Sequence, residues 1–267
     1  MARIFTTMTI DDAFHYTRER RSKIIASYPA HVRQARAWGK PAVGEGAVYP
    51  IDDELIMCDP FDVPEHWTEI GGLDFGYDHP TAAVRLVHDP DSGVFYLVQD
   101  YAKRKTLPIL HVSTLKGWGA HLTFAWGMEG LQTKLSENPE QTQKMFRKHG
   151  LKMVDTHATF YNGGVGIERG VQEILELMET GKFKAFRTCR KFFEEKSTYH
   201  RKRSNDAAVA QIVKVHDDVL DALRYAYMMF RYATPVRWRS RYGGRPIGGA
   251  AQKTMDRRDI FNPRDKR

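Results

Sequence analysis

The chain has 267 residues and a formal net charge of +8 at pH 7, and 42% of its residues are hydrophobic, enough to form a substantial core. No apolar run is long enough to span a membrane, and the first residues lack the apolar stretch of a secretory signal peptide. The two cysteines, Cys58 and Cys189, lie far apart in the sequence and form no metal-binding motif, so we expect free thiols.

Residues 1–50 are predicted to form a linker segment ahead of the main domain. Thr17 can cap a short basic helix that Pro29 ends or kinks, and a second short helix follows it. Glycines and prolines from Gly39 to Gly46 then interrupt the pattern. No Gly-x-x-x-x-Gly-Lys-Ser/Thr phosphate loop occurs in the sequence, so we expect no ATP hydrolysis by this chain.

An aspartate, Asp74, lies inside the first apolar run of the main domain, which predicts a strand. Burying a carboxylate on a strand is unfavourable unless a cation or hydrogen bonds compensate its charge. Gly72 and Gly76 leave the backbone near Asp74 open, so that a large ligand could approach closely. The alternative is that Asp74 caps a turn by accepting hydrogen bonds from nearby amides.

Further strands and helices follow this strand in order. Ala82–Val87 is the predicted hairpin partner of the Asp74 strand, and the turn Asp89–Gly93 leads into a third strand, Val94–Tyr101. Leu122–Trp126 is predicted as a fourth strand, parallel to the first. The other predicted elements are helices over 107–118, 136–149 and 167–178, a short strand over 151–154, a fifth sheet strand over 182–186 and a helix around Phe192.

A basic cluster with an aromatic neighbour lies at Tyr199–Arg203. Its basic residues suit contact with DNA phosphates, and they are His200, Arg201, Lys202 and Arg203. The alternative is the solvated tip of a hairpin whose outer strand is Ala207–Val215. The sequence leaves both interpretations open.

An acidic helix begins at Asp217 or Asp218, either of which is a suitable N-cap. Asp218, Asp221, Ala222 and Tyr225 are spaced so that they share one face of the helix. Two carboxylates beside a small alanine would let this face come close to a positive group. The alternative is an ordinary solvated acidic helix start, although Asp221 borders the predicted buried stripe.

The excess positive charge lies at the end of the chain. From Arg231 to Arg267 there are 11 basic and 3 acidic residues, which leaves 30 of each in residues 1–230. Gly, Pro and Arg dominate after Tyr232, so we predict a flexible basic tail over residues 233–267. Such a tail favours an acidic partner, most simply a polyphosphate, or it only keeps the protein soluble.

The ordered set of motifs resembles a known family, the nuclease domain of the large terminase subunit of tailed bacteriophages of the headful-packaging podovirus type. The resemblance covers roughly residues 40–232, and the family it points to is part of the RNase H-like superfamily. The segments that carry it are Gly72-Leu73-Asp74-Phe75-Gly76-Tyr77-Asp78-His79-Pro80-Thr81-Ala82, Phe124-Ala125-Trp126, His157-Ala158-Thr159-Phe160, Tyr199-His200-Arg201-Lys202 and the Asp217 helix.

The resemblance implies an α/β fold of RNase H-like (RuvC-like) type over residues 51–232, with a mixed five-stranded sheet flanked by helices. It implies a metal-dependent endonuclease that cuts concatemeric double-stranded DNA with two divalent cations, Mg²⁺ or Mn²⁺. Asp74 then matches the bridging ligand, with Glu129 and Asp218 on either side. Asp221 is a fourth candidate ligand and Asp217 is an alternative to Asp218, and spacing does not choose among them.

The loop after the fourth strand departs from the family pattern. Gly127 and Glu129 stand where the Pro and Asp of a Pro-x-Asp-Gly-like sequence are usual. Glu is longer by one methylene and can still bind a divalent cation through oxygen, so we keep Glu129 as a candidate ligand. The alternative is a surface acid at a loop tip.

The resemblance also implies partners: double-stranded DNA, a terminase ATPase domain, the small terminase subunit and the portal protein of the procapsid. The implied location is the host cytoplasm, transiently at the portal, with no membrane. Residues 1–50 would then lead toward an ATPase domain, so we expect an excised portion or a split subunit. Two other hypotheses are a RuvC-like junction resolvase and a non-catalytic packaging module that binds DNA or the portal.

Overall fold

The computed structural model describes residues 9–27, 46–132, 141–202 and 211–236. The chain divides into two compact units, a smaller one of Met1–Asp53 with Lys196–His216 and a larger one of Glu54–Glu195 with Asp217–Arg267. No helix in the described ranges is long and apolar enough to cross a membrane. The second N-terminal helix, Arg203 and the tail beyond Val236 lie outside those ranges.

The described elements are numbered here in chain order. The strands are β1 (Met57–Cys58), β2 (Thr68–Asp74), β3 (Thr81–Asp89), β4 (Val94–Lys103), β5 (Phe124–Trp126), β6 (Phe183–Phe186), β7 (Arg201–Lys202), β8 (Gln211–Ile212) and β9 (Thr234–Pro235). The α-helices are α1 (Arg18–Ser27), α2 (Asp53–Ile56), α3 (Pro108–Lys116), α4 (Thr142–Lys148), α5 (Ile167–Glu179), α6 (Arg190–Thr198) and α7 (Asp218–Met228). Short 3-10 turns cover Ile10–Asp12, Met128–Leu131 and Phe230–Tyr232.

The larger unit contains a mixed sheet with the strand order β1-β6-β4-β3-β2-β5, and β9 also pairs with β2. Strands β2, β3 and β4 form the predicted antiparallel meander, and β5 is parallel to β2, as predicted. Parallel neighbours end at the same edge of a sheet. The end of β2 at Asp74 and the turn after β5 that contains Glu129 therefore share one edge.

The two faces of β2 are covered by different helices. On the Leu73 face, Phe75 and Trp126 pack with Val112 of α3 and Phe146 of α4 in an apolar core. On the other face, α7 packs against β2 and β3, and all eleven of its residues are buried. A helix this deeply buried brings its acidic first turn into the interior of the larger unit.

Some predicted elements differ from those observed. The fifth predicted strand is present as β6, which lies between β1 and β4 in the sheet. The strand predicted over 151–154 is reduced to a single bridge between Met153 and Phe124, although Leu151 and Val154 are buried. The helix predicted as exposed over 136–149 is described from Thr142, and its Phe146 is part of the core.

The smaller unit contains the β7–β8 ribbon, in which Arg201 lies opposite Ile212 and Lys202 opposite Gln211. The predicted outer strand over 207–215 is described only from Gln211 onward. In the larger unit, the sheet continues past Tyr232, because β9 pairs with β2. The predicted boundaries at residues 50 and 232 remain predictions.

Replacing Gly72 by alanine is expected to destabilise the protein by about 3 kcal/mol, the upper end of the usual penalty for overpacking. A Cβ atom at Gly72 would overlap the carbonyl of Ala222, which is rigid backbone of α7. Urea unfolding followed by circular dichroism measures the loss. Gly166→Ala is the control, because a Cβ there has its nearest neighbour at 3.8 Å; equal losses would contradict the special role of Gly72.

A second prediction concerns His88, which is buried between Phe95 and Phe230 and whose ring nitrogens have no hydrogen-bond partner within the described ranges. Burial lowers the pKa of His88 from its ordinary 6.5 to about 4, against a smaller opposing effect of Asp89. The unfolded chain therefore binds the extra proton in this window, and stability falls as the pH drops from 6.5 toward 4.

The pKa shift of His88 corresponds to about 3 kcal/mol in the free energy of unfolding, and His88→Phe should remove this part of the acid sensitivity. Urea unfolding at pH 7 and pH 4.5 measures it, with His66→Phe at an exposed position as the control. The same acid-induced loss in the wild type and in His88→Phe would contradict the assignment.

Candidate metal centre

Two carboxylates and one imidazole converge at the end of β2. One donor atom from each of Asp74, His79 and Asp218 lies within 4.8 Å of the other two. Asp74 is the last residue of β2, Asp218 is the first residue of α7, and His79 lies in the loop between β2 and β3. Both carboxylates are buried, whereas His79 is exposed. The cluster is therefore formed inside the fold and bordered by solvent on the His79 side.

The electrostatics of this region suit a bound cation. Asp217 at the N-cap and Asp218 and Asp221 in the first turn of α7 are all buried, and Asp74 of β2 lies close to Asp218. Buried carboxylates lose hydration and repel one another unless positive charge compensates them. Hard divalent cations prefer carboxylate oxygens. The donor set therefore fits a divalent cation.

The loop that carries His79 is fixed by several hydrogen bonds. His79 Nδ1 lies 2.7 Å from Asp218 Oδ1. The Thr81 hydroxyl donates to the Gly76 carbonyl at 2.7 Å, and the Lys105 N–H donates to the Tyr77 carbonyl at 3.0 Å. The bond from Thr81 joins the two ends of the loop, and the bond from Lys105 ties the loop to the segment after β4. They keep the imidazole next to the Asp218 carboxylate.

The start of α7 is capped from another helix. Asp217, one of the two predicted N-caps, occupies that position, but its side chain makes no capping bond. Instead, Oε2 of Glu195 accepts hydrogen bonds from the N–H groups of Val219 at 2.8 Å and Leu220 at 3.2 Å. Burial first, and then the carboxylates of Asp218 and Asp217, raise the pKa of Glu195 to about 8. Glu195 thus leaves the aspartates of the first turn available for other contacts.

Asp221 has a buried cationic partner. The Nε and Nη2 atoms of Arg224 donate to Asp221 Oδ1 at 3.2 and 3.0 Å. Burial alone would lower the pKa of Arg224, but Asp221 and, after it, Tyr225 outweigh this effect and the net shift is upward. Gly170 of α5 makes room for this side chain, because a Cβ there would lie 2.7 Å from Arg224 Cγ. Asp221 is therefore partly neutralised within its own helix.

Glu129 lies in the 3-10 turn that follows β5, and it is half-buried rather than a fully exposed loop-tip acid. Its Oε2 accepts a hydrogen bond of 3.3 Å from the Tyr225 hydroxyl of α7. Burial first, then the charges of Asp74, Asp221 and, less strongly, Glu129, raise the pKa of Tyr225. The Tyr225 phenol therefore lies close to carboxylates from β2, from α7 and from the turn after β5.

The predicted DNA-binding cluster belongs to the smaller unit. His200 and Lys202 are exposed and Arg201 is half-buried, whereas Arg203 lies outside the described residues. The predicted metal ligands Asp74, Glu129, Asp217, Asp218 and Asp221 all belong to the larger unit. The role of both sets remains a prediction.

Three residues near the centre were not predicted as site residues: His79, Glu195 and Tyr225. His79 could have been found, because a loop that closes a hairpin only five residues after Asp74 keeps its side chains near the strand end. Tyr225 was placed on the Asp218 face by helical spacing, but its contact with Glu129 depends on the sheet. Glu195 carries no such signal, since it is distant in sequence from the helix that it caps.

The fold and the cluster together define an RNase H-like domain with a carboxylate-rich candidate metal centre. Residues 71–230, more than half of the chain, match the family described as the Terminase RNaseH-like domain. The chain belongs to this family. The large terminase subunit of Salmonella phage P22 is 43% identical over 230 residues, which cover 86% of this chain and 45% of that protein.

Other similarities agree with the family. The large terminase subunit of Enterobacteria phage LP7 is 43% identical over 222 residues, covering 83% of this chain and 46% of that protein. The chain therefore spans less than half the length of the curated relatives it matches. The solved nuclease domain of the P22 large terminase has a TM-score of 0.65 and 39% identity, covering 72% of this chain and 96% of that one.

A more distant solved structure, the nuclease domain of the large terminase of bacteriophage SPP1 with bound Mn, shares the fold. Its TM-score is 0.50 at 15% identity, and the match covers 67% of this chain and 99% of that chain.

Removing the imidazole of His79 is expected to weaken Mn²⁺ binding by about 10-fold, because the residue either contributes a donor or orients Asp218. Isothermal titration calorimetry on His79→Ala measures the change. His66→Ala is the matched control, since His66 is a similarly exposed histidine paired with a carboxylate, that of Asp91. If the two variants bind Mn²⁺ equally well, His79 is not part of the centre.

Proposed function

We propose that this chain acts as the metal-dependent endonuclease of a viral DNA-packaging terminase and cuts concatemeric double-stranded DNA. The observation that carries the proposal is the convergence of Asp74, Asp218 and His79 at one sheet edge, in a chain of the Terminase RNaseH-like domain family. The similarity at 39% identity to a solved terminase nuclease domain supports the same activity.

Phosphodiester hydrolysis requires activation of a water and stabilisation of the leaving oxygen. Two divalent cations, Mg²⁺ or Mn²⁺, would supply both when bound. Asp74 is the proposed bridging ligand, because it lies at the end of β2 with α7 on one side and the turn after β5 on the other. Asp218 and Glu129 are the proposed ligands on those two sides.

The neighbouring groups have supporting roles. Asp217 can add a carboxylate beside Asp218, while the ion pair with Arg224 makes Asp221 a weaker ligand candidate than Asp218. His79 holds Asp218 from the solvent side and offers one imidazole nitrogen. The burial of the carboxylates keeps their orientations fixed before substrate binds.

The proposed substrate contacts and partners extend beyond this centre. We propose that His200, Arg201, Lys202 and Arg203 contact DNA phosphates, and that the basic tail adds non-specific contacts. The relatives are large terminase subunits. By analogy, the proposed partners are a terminase ATPase domain, the small terminase subunit and the procapsid portal, met in the host cytoplasm.

Asp74→Asn is expected to reduce cleavage of supercoiled plasmid by at least about 100-fold with either Mg²⁺ or Mn²⁺, because it removes a ligand charge shared by both cations. Gel electrophoresis of the plasmid over time measures nicking and linearisation. Asp100→Asn is the matched control: it changes a half-buried carboxylate of β4 that accepts a hydrogen bond from the Phe192 N–H, and an asparagine can still accept that bond.

Full cleavage by Asp74→Asn would contradict the proposed site. A wild-type protein that binds plasmid but does not cut it in either metal would support a non-catalytic packaging module instead. A strong preference for a four-way junction over a linear duplex would favour a junction resolvase.

A further inference from the structure

The phenol of Tyr225 links α7 to the turn that carries Glu129. Tyr225 lies two turns after Asp218 on the same helical face, and its hydroxyl donates to Glu129 Oε2 at 3.3 Å. We propose that Tyr225 is a positioning residue that holds the Glu129 carboxylate for metal binding, and that Gly127 makes this contact possible. The inference rests on the proposed function, in which Glu129 is a ligand.

A glycine is required at position 127 because of the limited space there, and not because of the backbone conformation. Its backbone angles, φ −78° and ψ 166°, are extended and available to any residue. However, a Cβ on Gly127 would lie 2.6 Å from Cζ of Tyr225 and would overlap the Oε2 atom of Glu129. The volume that a side chain would fill is occupied by the two groups that bond each other.

The Tyr225 ring has little freedom to leave this position. It is 5% exposed, and the guanidinium carbon of Arg224 lies 4.6 Å from the ring centroid. Arg224 is itself held by its bonds to Asp221. The hydroxyl is therefore presented to Glu129 by a buried ring that also contacts Arg224.

The bond to Tyr225 also fits the length of Glu129. A glutamate has one more rotatable bond than an aspartate, so its carboxylate needs an additional contact to keep one orientation. Tyr225 engages Oε2 and leaves Oε1 available for a cation. Hydrogen-bond partners that orient a ligand in this way typically change metal affinity by about 10–100-fold when removed.

The test is Mn²⁺ affinity, measured by isothermal titration calorimetry on the full 267-residue chain. Tyr225→Phe removes only the hydroxyl and should weaken Mn²⁺ binding by about 10-fold. Tyr232→Phe makes the same chemical change at a half-exposed ring away from the centre, and its affinity should equal that of the wild type. Equal affinities for wild type, Tyr225→Phe and Tyr232→Phe would overturn the inference.

A double-mutant cycle with Glu129→Gln separates a positioning role from general damage. If Tyr225 acts through Glu129, Tyr225→Phe should add little or no further loss in the Glu129→Gln background. Fully additive losses would overturn the inference. Urea unfolding without metal provides the structural readout, and Tyr225→Phe should unfold with the same midpoint as Tyr232→Phe.

Gly127→Ala offers an independent variant, because the new methyl group would push the ring and the carboxylate apart. It should weaken Mn²⁺ binding at least as much as Tyr225→Phe, and unchanged affinity in a folded Gly127→Ala protein would contradict the proposal. The proposed function has its own test in Asp74→Asn. If Asp74→Asn abolishes cleavage while Tyr225→Phe behaves like its control, only the positioning role fails.

Discussion

The position of the candidate metal centre depends on the close contact between the backbones of β2 and α7. Gly72 lies against the carbonyl of Ala222 with no room for a side chain between them. Asp74 is two residues beyond Gly72 on the same face of the strand, and Asp218 is one helical turn before Ala222. A wider separation of strand and helix would move the two carboxylates apart, so one small residue sets the spacing between Asp74 and Asp218.

This close contact creates an electrostatic difficulty that the rest of the site relieves in part. It brings the acidic first turn of α7 into a buried region and next to the carboxylate of Asp74. Arg224 partly neutralises Asp221, the imidazole of His79 contacts Asp218, and Glu195, which caps the helix, has a pKa raised by burial and by Asp218 and Asp217. The carboxylates of Asp74 and Asp218 are buried, and the exposed His79 borders them, so a cation could enter from the His79 side.

Much of the fold could be predicted from the sequence, because local patterns determine it. The turn at Asp89–Gly93 and the apolar runs on either side predicted the β2–β3–β4 meander, which the structure confirms. The parallel strand β5 was also predicted correctly. The segment over 151–154 was misjudged, since apolar residues indicate burial but not the number of hydrogen bonds that a strand makes.

The candidate site could be predicted only for residues whose neighbours in the sequence make them unusual. Asp74 within an apolar strand and the acids at the start of α7 are such residues, and the structure brings Asp74 and Asp218 together. Glu195 caps α7 from a different helix, and His79 reaches Asp218 across the sheet edge. Both contacts depend on tertiary packing, which spacing along the chain does not encode.

In the turn after β5, the two differences from the expected family sequence both involve contacts with the same side chain. Gly127 and Glu129 stand where the family resemblance led us to expect proline and aspartate. A glycine loosens a turn, and a glutamate is one methylene longer than an aspartate as a candidate ligand. In the fold, both Gly127 and Glu129 lie next to the phenol of Tyr225. The space left by Gly127 admits the Tyr225 ring, and the extra methylene of Glu129 places its carboxylate within reach of the hydroxyl. The three residues therefore contact one another, and a substitution at any of them has to be interpreted together with the other two.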